Sequence, residues 1–206
     1  MKKLWIGLSL AFALWFIMFS PWTAQKINFW AVMFFAGLIL TSYVFLQNKG
    51  NLARLFNYQS KHIFIGIFSA IVLYFVFYVG KLISFSLFDF SATQVASVYD
   101  TRSTAPTWLI SILLLFVIGP AEEIFWRGFI LEELSKKFNS IPLALIISTI
   151  LYSIVHIWSC NFMLLVAAFV CGIFWGLIYL RYKSLIPVII SHSLWDFTVF
   201  ILFPFG

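Results

Sequence analysis

Seven apolar runs divide the chain, at roughly 4–20, 28–46, 62–80, 107–131, 142–158, 161–180 and 185–203. A helix needs about 20 predominantly apolar residues to cross a bilayer, with a range of about 17–25, and each run meets that need or falls just short of it. Polar stretches separate them: Pro21-Trp22, Gln47–Lys61, Lys81–Pro106, Lys136–Ile141, Ser159–Asn161 and Arg181–Ser184. The pattern predicts an all-α polytopic membrane protein with about seven transmembrane helices. No repeat or low-complexity tract interrupts it. In the long segment Lys81–Pro106, the stretch Phe85–Phe90 is expected to form an interfacial helix, with Asp89 and Asp100 in solvent.

Composition closes off the soluble alternative. The chain is 63% hydrophobic and 10% charged over 206 residues, against about 45–50% and 25% for a soluble domain. Lys2 and Lys3 followed by an apolar run resemble a secretory signal. A cleavage site after Ala24 would put Trp22 where a small residue belongs, so the run is expected to remain as the first span.

The net charge of +6 reflects loop asymmetry. No aromatic-basic surface for nucleic acid is visible, and none is expected as a partner. With the N-terminus inside, the inner segments hold Lys2, Lys3, Lys49, Arg54, Lys61, Lys136, Lys137, Arg181 and Lys183, against Lys26, Lys81 and Arg102 outside. Nine against three predicts a cytoplasmic N-terminus. Cys160 and Cys171 form no CxxC pair and are expected to be free. Gly172 and Gly176 form a GxxxG, expected to pack helices within the chain. Glu132 and Glu133 are expected to pair with Lys136 and Lys137 at a solvated helix end, and His62 is expected at the membrane interface.

The chemistry sits inside the runs. The fourth contains Gly119-Pro120-Ala121-Glu122-Glu123-Ile124-Phe125-Trp126-Arg127-Gly128. A charge at mid-membrane costs about 2.5–3.5 kcal/mol on insertion scales, so three charged residues there require a reason. At about 100° per residue, Glu123 and Arg127 share a helix face and pair. Glu122 points elsewhere and lacks that counter-ion. One anchored and one unanchored carboxylate is an arrangement suited to acid–base chemistry. Pro120 should break or kink the helix ladder. The fifth run offers Tyr152-xxx-His156 and the seventh His192-xxx-Asp196, each on one face. Ionisable groups within spans turn toward a shared interior or cavity. Ser153 and Ser191 neighbour the histidines in sequence but do not face them. A hydrolase needs a base, a water and charge stabilisation, and these residues supply them. Glu122, His156 and His192 are also legitimate zinc ligands, although no HExxH is present, so the residues alone leave a metal-independent site and a zinc site open.

Glu-Glu-xxx-Arg, then aromatic-xxx-His, then His-xxx-Asp on successive spans resembles the CAAX protease and bacteriocin-processing (CPBP, or Abi) family, which includes endopeptidases that trim prenylated CAAX proteins. The resemblance covers about residues 105–203. It implies a division into residues 1–104, with about three transmembrane helices and a connecting loop, and residues 105–206, a catalytic helical core with a polar cavity among the last four helices. It implies a glutamate-dependent intramembrane endopeptidase without a cofactor. Glu122 would be the general base, His156 would help hold the attacking water, and His192 and Asp196 would sit where the oxyanion is stabilised. Glu123, Arg127 and Tyr152 would shape the site. Tyr152 stands where Phe is frequent, and Asp196 stands where the prenyl-processing members have Asn. A carboxylate donates no hydrogen bond unless protonated, so Asp196 is expected to orient His192 instead.

The expected substrate is a membrane-embedded or lipid-anchored peptide or protein in the cell membrane of a bacterium or archaeon, reached through a funnel from the cytoplasmic side. The competing readings are a non-catalytic Abi-type scaffold or bacteriocin self-immunity protein, and a proton-coupled transporter. The first would be favoured by loss of Glu122 or a motif histidine, and all are present. The second would show paired broken helices in inverted repeats, and only the Gly119-Pro120 break is visible.

Overall fold

A computed structural model describes residues 2–47 and 53–205. Helices build the fold, and no strand occurs among the described residues. Among the described residues, seven helices are long and apolar enough to cross a membrane: α1 (Lys2–Phe19), α2 (Phe29–Gln47), α3 (Lys61–Leu87), α5 (Thr107–Phe138), α6 (Ile141–Ser159), α7 (Phe162–Tyr182) and α8 (Leu185–Leu202). A short helix, α4 (Ser91–Tyr99), lies between the third and fourth of them. The chain is a multi-pass membrane protein, as the apolar runs predict. Lys49, counted above among the inner charges, lies outside the described residues.

Two boundaries differ from expectation. Helix α3 continues to Leu87, so Phe85–Phe90 is the end of α3 and a short break before α4, not a separate interfacial helix. Helix α5 spans 32 residues and reaches Phe138. At 1.5 Å per residue it is about 48 Å long, well beyond a hydrocarbon core of about 30 Å. The extra turns carry Glu132 to Lys137, which explains why hydropathy alone ends the span at 131. Glu122 therefore lies at the middle of α5.

The last three connections share one local design. Asn139, Cys160 and Lys183 each adopt a left-handed conformation, with φ of 47°, 51° and 51°. Each is followed by an extended residue, Ser140, Asn161 or Ser184, that opens the next helix. The left-handed residue ends one helix, and at two of the three a polar side chain caps the next. Asn161 Oδ1 accepts from the Leu164 N–H at 2.9 Å, and Ser184 Oγ accepts from the Ile186 N–H at 3.3 Å. Two-residue connections force α5 to α8 into an antiparallel array.

Small residues set how closely the helices approach. Helix α3 lies along α8, and a Cβ at Gly66 would stand 2.6 Å from Ile190 Cβ and 3.0 Å from the Pro187 carbonyl. Gly172 and Gly176 face Thr149 and Leu145 of α6, so the GxxxG packs α7 on α6 within the chain, as expected. Helix α1 packs its inner face of Leu8, Ala11, Trp15 and Met18 into the core.

The end of the bundle holding the N-terminus is closed by packing and ion pairs. Lys3 and Lys136 both reach Glu133, at 2.8 and 2.9 Å. Glu132 pairs with Arg54 at 2.8 Å and accepts from Tyr179 Oη at 2.9 Å, so its partner is not the lysine of its own helix. Lys137 lies over the Trp5 ring. His62, the second residue of α3, is fully buried beside Tyr182, and neither ring nitrogen has a hydrogen-bond partner among the described residues.

Two glycine substitutions in α3 should shift stability in opposite directions. Gly66→Ala is expected to destabilise by about 1–3 kcal/mol through overpacking. Gly80→Ala meets nothing within 4 Å and should stabilise by about 0.5–1 kcal/mol through helix propensity. Thermal unfolding of the two variants in one detergent checks both signs.

Candidate active site

The site begins with how α5 accommodates its proline. The backbone widens to i→i+5 hydrogen bonding over Leu114–Ile118, returns to α-helix over Gly119–Phe125, and widens again over Trp126–Leu131. Such π segments are rare and concentrate at functional sites. Pro120 lacks an N–H, and its ring would clash with the carbonyl four residues back in a regular helix. The wide turn before it relieves both problems without ending the helix. Gly119 adds room: a Cβ there would lie 2.5 Å from Ser193 Oγ and 3.1 Å from Ser193 Cα, so α5 and α8 approach closely at this level.

The two adjacent glutamates then separate as helical geometry predicts. Glu123 is fully buried, and its Oε1 accepts from Arg127 Nη1 at 2.8 Å and from His192 Nδ1 at 2.7 Å. Arg127 Nη2 also donates to the carbonyls of Cys171 and Gly172, at 3.2 and 3.4 Å. Its guanidinium lies over the Tyr152 and Trp175 rings, 4.7 and 5.4 Å from their centroids. One ion pair thereby joins α5, α6, α7 and α8. Glu122 is 7% exposed, and Tyr152 Oη donates to its Oε2 at 2.8 Å.

His192 is fixed on every side. Trp175 stacks on its ring with centroids 3.8 Å apart and planes 18° apart, and the indole N–H donates to Ser191 Oγ. Asp196 Oδ2 lies 3.3 Å from Nε2. The ring faces a carboxylate at both nitrogens and satisfies both only when each nitrogen carries a hydrogen. Asp196 does contact His192 as expected, but the shorter contact that orients the ring comes from Glu123.

His156 departs from the simple expectation. Its Nε2 accepts from Trp15 Nε1 at 3.0 Å, and its Nδ1 lies 2.9 Å from the Tyr152 carbonyl. A carbonyl only accepts, so Nδ1 carries the hydrogen and the lone pair on Nε2 is taken by the indole. Trp15 belongs to the first span, outside all the motifs, and nothing in its sequence context distinguishes it from the chain's eight other tryptophans. Trp175 is equally silent in the sequence. It lies between the two glycines of the GxxxG, a position with no signature of stacking on a distant histidine. Only the close approach of α7 to α8 reveals it. Ser153 and Ser191 are committed elsewhere, to the Leu165 carbonyl and the Trp175 indole.

Glu122, Tyr152, His156, His192 and Asp196 all line one cavity of about 770 Å³, within the range of small-molecule and peptide-sized sites. The cavity brings the motif residues of α5, α6 and α8 to a common space. The rest of its wall is mostly apolar, from Met18, Phe19, Met33, Leu164, Ala168, Val199 and neighbours. Glu123 and Arg127 do not line it; they lie behind it.

Zinc is the alternative that residue type leaves open. No three of the described His, Cys, Asp and Glu side chains converge as a metal-ligand set. Both nitrogens of each motif histidine are already engaged by protein groups. The residues as arranged do not fit a zinc ion held by Glu122, His156 and His192.

Comparison with known proteins gives one family. The model described as "Type II CAAX prenyl endopeptidase Rce1-like" matches residues 103–198. No curated protein and no solved structure matches the chain. The matched stretch runs from the turn before α5 into α8 and contains all three motifs. Over residues 103–198 the chain is similar to the Rce1-like family, which is consistent with the CAAX protease and bacteriocin-processing group that its motifs resemble.

Proposed function

We propose that the protein is a glutamic-type intramembrane endopeptidase that hydrolyses a peptide bond of a membrane-embedded or lipid-anchored substrate. The family match supports a CAAX-type endopeptidase in general. The observation that carries the finer reading is the asymmetry of the two glutamates. Glu123 is consumed by Arg127 and His192, whereas Glu122 faces the cavity with only Tyr152 on one oxygen.

In this reading Tyr152 fixes the Glu122 carboxyl by holding Oε2, leaving Oε1 to accept a proton from water. The water attacks the substrate carbonyl carbon, and the proton moves to Glu122 and then to the leaving amine. With the His192 ring held by Glu123 and the Trp175 stack, its Nε2–H, whose contact with Asp196 is the longer one at 3.3 Å, would be shared with the developing oxyanion. Asp196 would keep that imidazole doubly protonated and would not itself donate. His156 would serve as water partner only when the Trp15 N–H leaves Nε2; otherwise it braces Tyr152. No cofactor and no nucleic acid enter the scheme. The protein would reside in the cell membrane of a bacterium or archaeon with its N-terminus in the cytoplasm. A non-catalytic Abi-type scaffold or immunity protein is the alternative; the cavity that reaches Glu122 supports the enzyme.

The two glutamates are expected to fail differently. Glu122→Gln keeps an oxygen to accept from Tyr152, so it should unfold at the wild-type temperature while losing about 10²–10⁴ in cleavage rate. Undiminished cleavage by folded Glu122→Gln protein in proteoliposomes would sink the assignment. Glu123→Ala strands Arg127 in the core and should cost about 3–5 kcal/mol of stability. Thermal unfolding in detergent would register this as a large downward shift, whatever the substrate.

His192→Ala removes the proposed oxyanion donor. It should lower kcat by about 10²–10³, and single-turnover kinetics on the same substrate reads that loss separately from binding.

A further inference from the structure

Among the described residues, the connections that line the cavity all belong to one end of the bundle. Its rim comes from the connection after α1 (Ala24, Gln25), the far end of α3 (Lys81, Ser84), α4 and the turn after it (Val95 to Thr101), and the α6–α7 connection (Ser159, Asn161). All of these lie at the end opposite the N-terminus, because α1, α3 and α6 each run toward it. No described residue of the connections 53–60, 132–141 or 182–184 lines the cavity. Among the described residues, contacts close that other end. Gly128 packs against Leu185 and Leu55, Ser184 Oγ donates to the Asn57 carbonyl, and the Glu132 and Glu133 ion pairs lie across it. The mouth is at the end opposite the N-terminus, so the expected cytoplasmic funnel and the expected cytoplasmic N-terminus do not hold together.

The charges at the two ends differ in the same sense. The closed end holds Lys2, Lys3, Arg54, Lys61, Lys136, Lys137, Arg181 and Lys183 among the described residues, and the open end holds Lys26, Lys81 and Arg102. Lysine and arginine near span ends mark the cytoplasmic side. The closed end is thus assigned to the cytoplasm.

From these two observations we propose that the site takes its substrate from the non-cytoplasmic face: an exported, membrane-associated peptide whose scissile bond enters the outer half of the bilayer. The proposal rests on the endopeptidase reading for the reaction and on the fold for the side. The depth agrees. Tyr152 lies seven residues before the end of α6 at Ser159, roughly 10 Å from the mouth at 1.5 Å per residue, and Glu122 is in contact with it. The apolar wall above Glu122 suits apolar side chains or an acyl group flanking the bond. Helix α4 is pinned over the mouth by Gln94, whose carbonyl accepts from Asn161 Nδ2 at 2.7 Å and whose Oε1 accepts from the Met163 N–H at 3.0 Å. The substrate would pass beside α4.

The native cysteines supply the test. Cys160 is exposed in the α6–α7 connection at the mouth, and Cys171 is buried. A membrane-impermeant maleimide is applied to intact cells, and labelling is expressed as a share of that in solubilised protein. The same measurement is made on Gln59→Cys in a Cys160→Ser background, which places the thiol at the closed end. The Cys160 share should exceed the Gln59→Cys share at least tenfold. A Cys160 share no higher than the other overturns the proposal, and neither share depends on activity. The route is then read with Ser97→Cys in the Cys160→Ser background, since Ser97 lines the mouth. A bulky impermeant maleimide should stop cleavage in right-side-out vesicles and leave it intact in inside-out vesicles. Blockage only in inside-out vesicles overturns the route. Absence of cleavage before any modification would instead count against the endopeptidase reading, with the side still decided by the labelling.

Discussion

The buried carboxylate of Glu123 is the joint on which the site is built. One of its oxygens accepts from both Arg127 and His192, and Arg127 continues to two backbone carbonyls of α7. Charges withdrawn from water cost several kcal/mol each, and mutual attraction offsets this only when geometry and extra hydrogen bonds are good. Here both conditions hold, because the guanidinium also lies against two aromatic faces. Glu123 Oε2 has no partner among the described residues, so the network is satisfied on the side that joins helices and not on the other. Its role is positional: with α5, α7 and α8 tied at this point, the His192 ring has little freedom.

The same tie makes Glu122 available. On a regular helix the next residue points about 100° away, so fixing Glu123 toward α7 and α8 turns Glu122 toward α6 and the cavity. The two wide turns flanking Gly119–Phe125 adjust the rotation of this segment relative to the rest of a 32-residue helix. They let a proline sit within a continuous span, and they allow the two halves of α5 to meet different neighbours. A charged pair would hold a regular helix in register, whereas a proline disrupts one. The sequence contains both within one short stretch, Pro120 to Arg127, and the backbone resolves the conflict by changing its hydrogen-bond spacing.

Much of this is legible from residue pattern. Length and hydropathy reveal the seven spans, and helical phase separates Glu122 from Glu123. The i,i+4 pairs Tyr152/His156 and His192/Asp196 point at the cavity that all four line. Hydropathy reads the polar turns of α5 past Leu131 as loop, because it does not see partners: ion pairs with Lys3 and Arg54 from distant segments support those turns. Trp15 and Trp175 are out of reach for a related reason. A tryptophan in an oily helix is ordinarily lipid-facing or core, and only tertiary contact gives its N–H to His156 or its ring to His192. The side of the mouth cannot be read from depth along single helices. It depends on which connections surround the cavity, and that is a property of the assembled bundle.

The first span touches the candidate site in a way that its sequence does not suggest. Trp15 occupies the lone pair of His156, and its ring also meets Trp126 edge to face at 6.3 Å. Phe19, one turn further along α1, sits 5.5 Å from the same imidazole and lines the cavity. A neutral imidazole has a single acceptor nitrogen, so an indole N–H and a catalytic water compete for it. The indole is held by packing, with Trp15 only 1% exposed, and a shift of α1 against the Val155–Ser159 turn would withdraw it. That makes α1 the element whose position would decide whether His156 accepts from the protein or from water. Substrate entering beside α4 would contact Met18 and Phe19 of this helix before reaching Glu122, so occupancy of the mouth and release of His156 would be coupled through one helix.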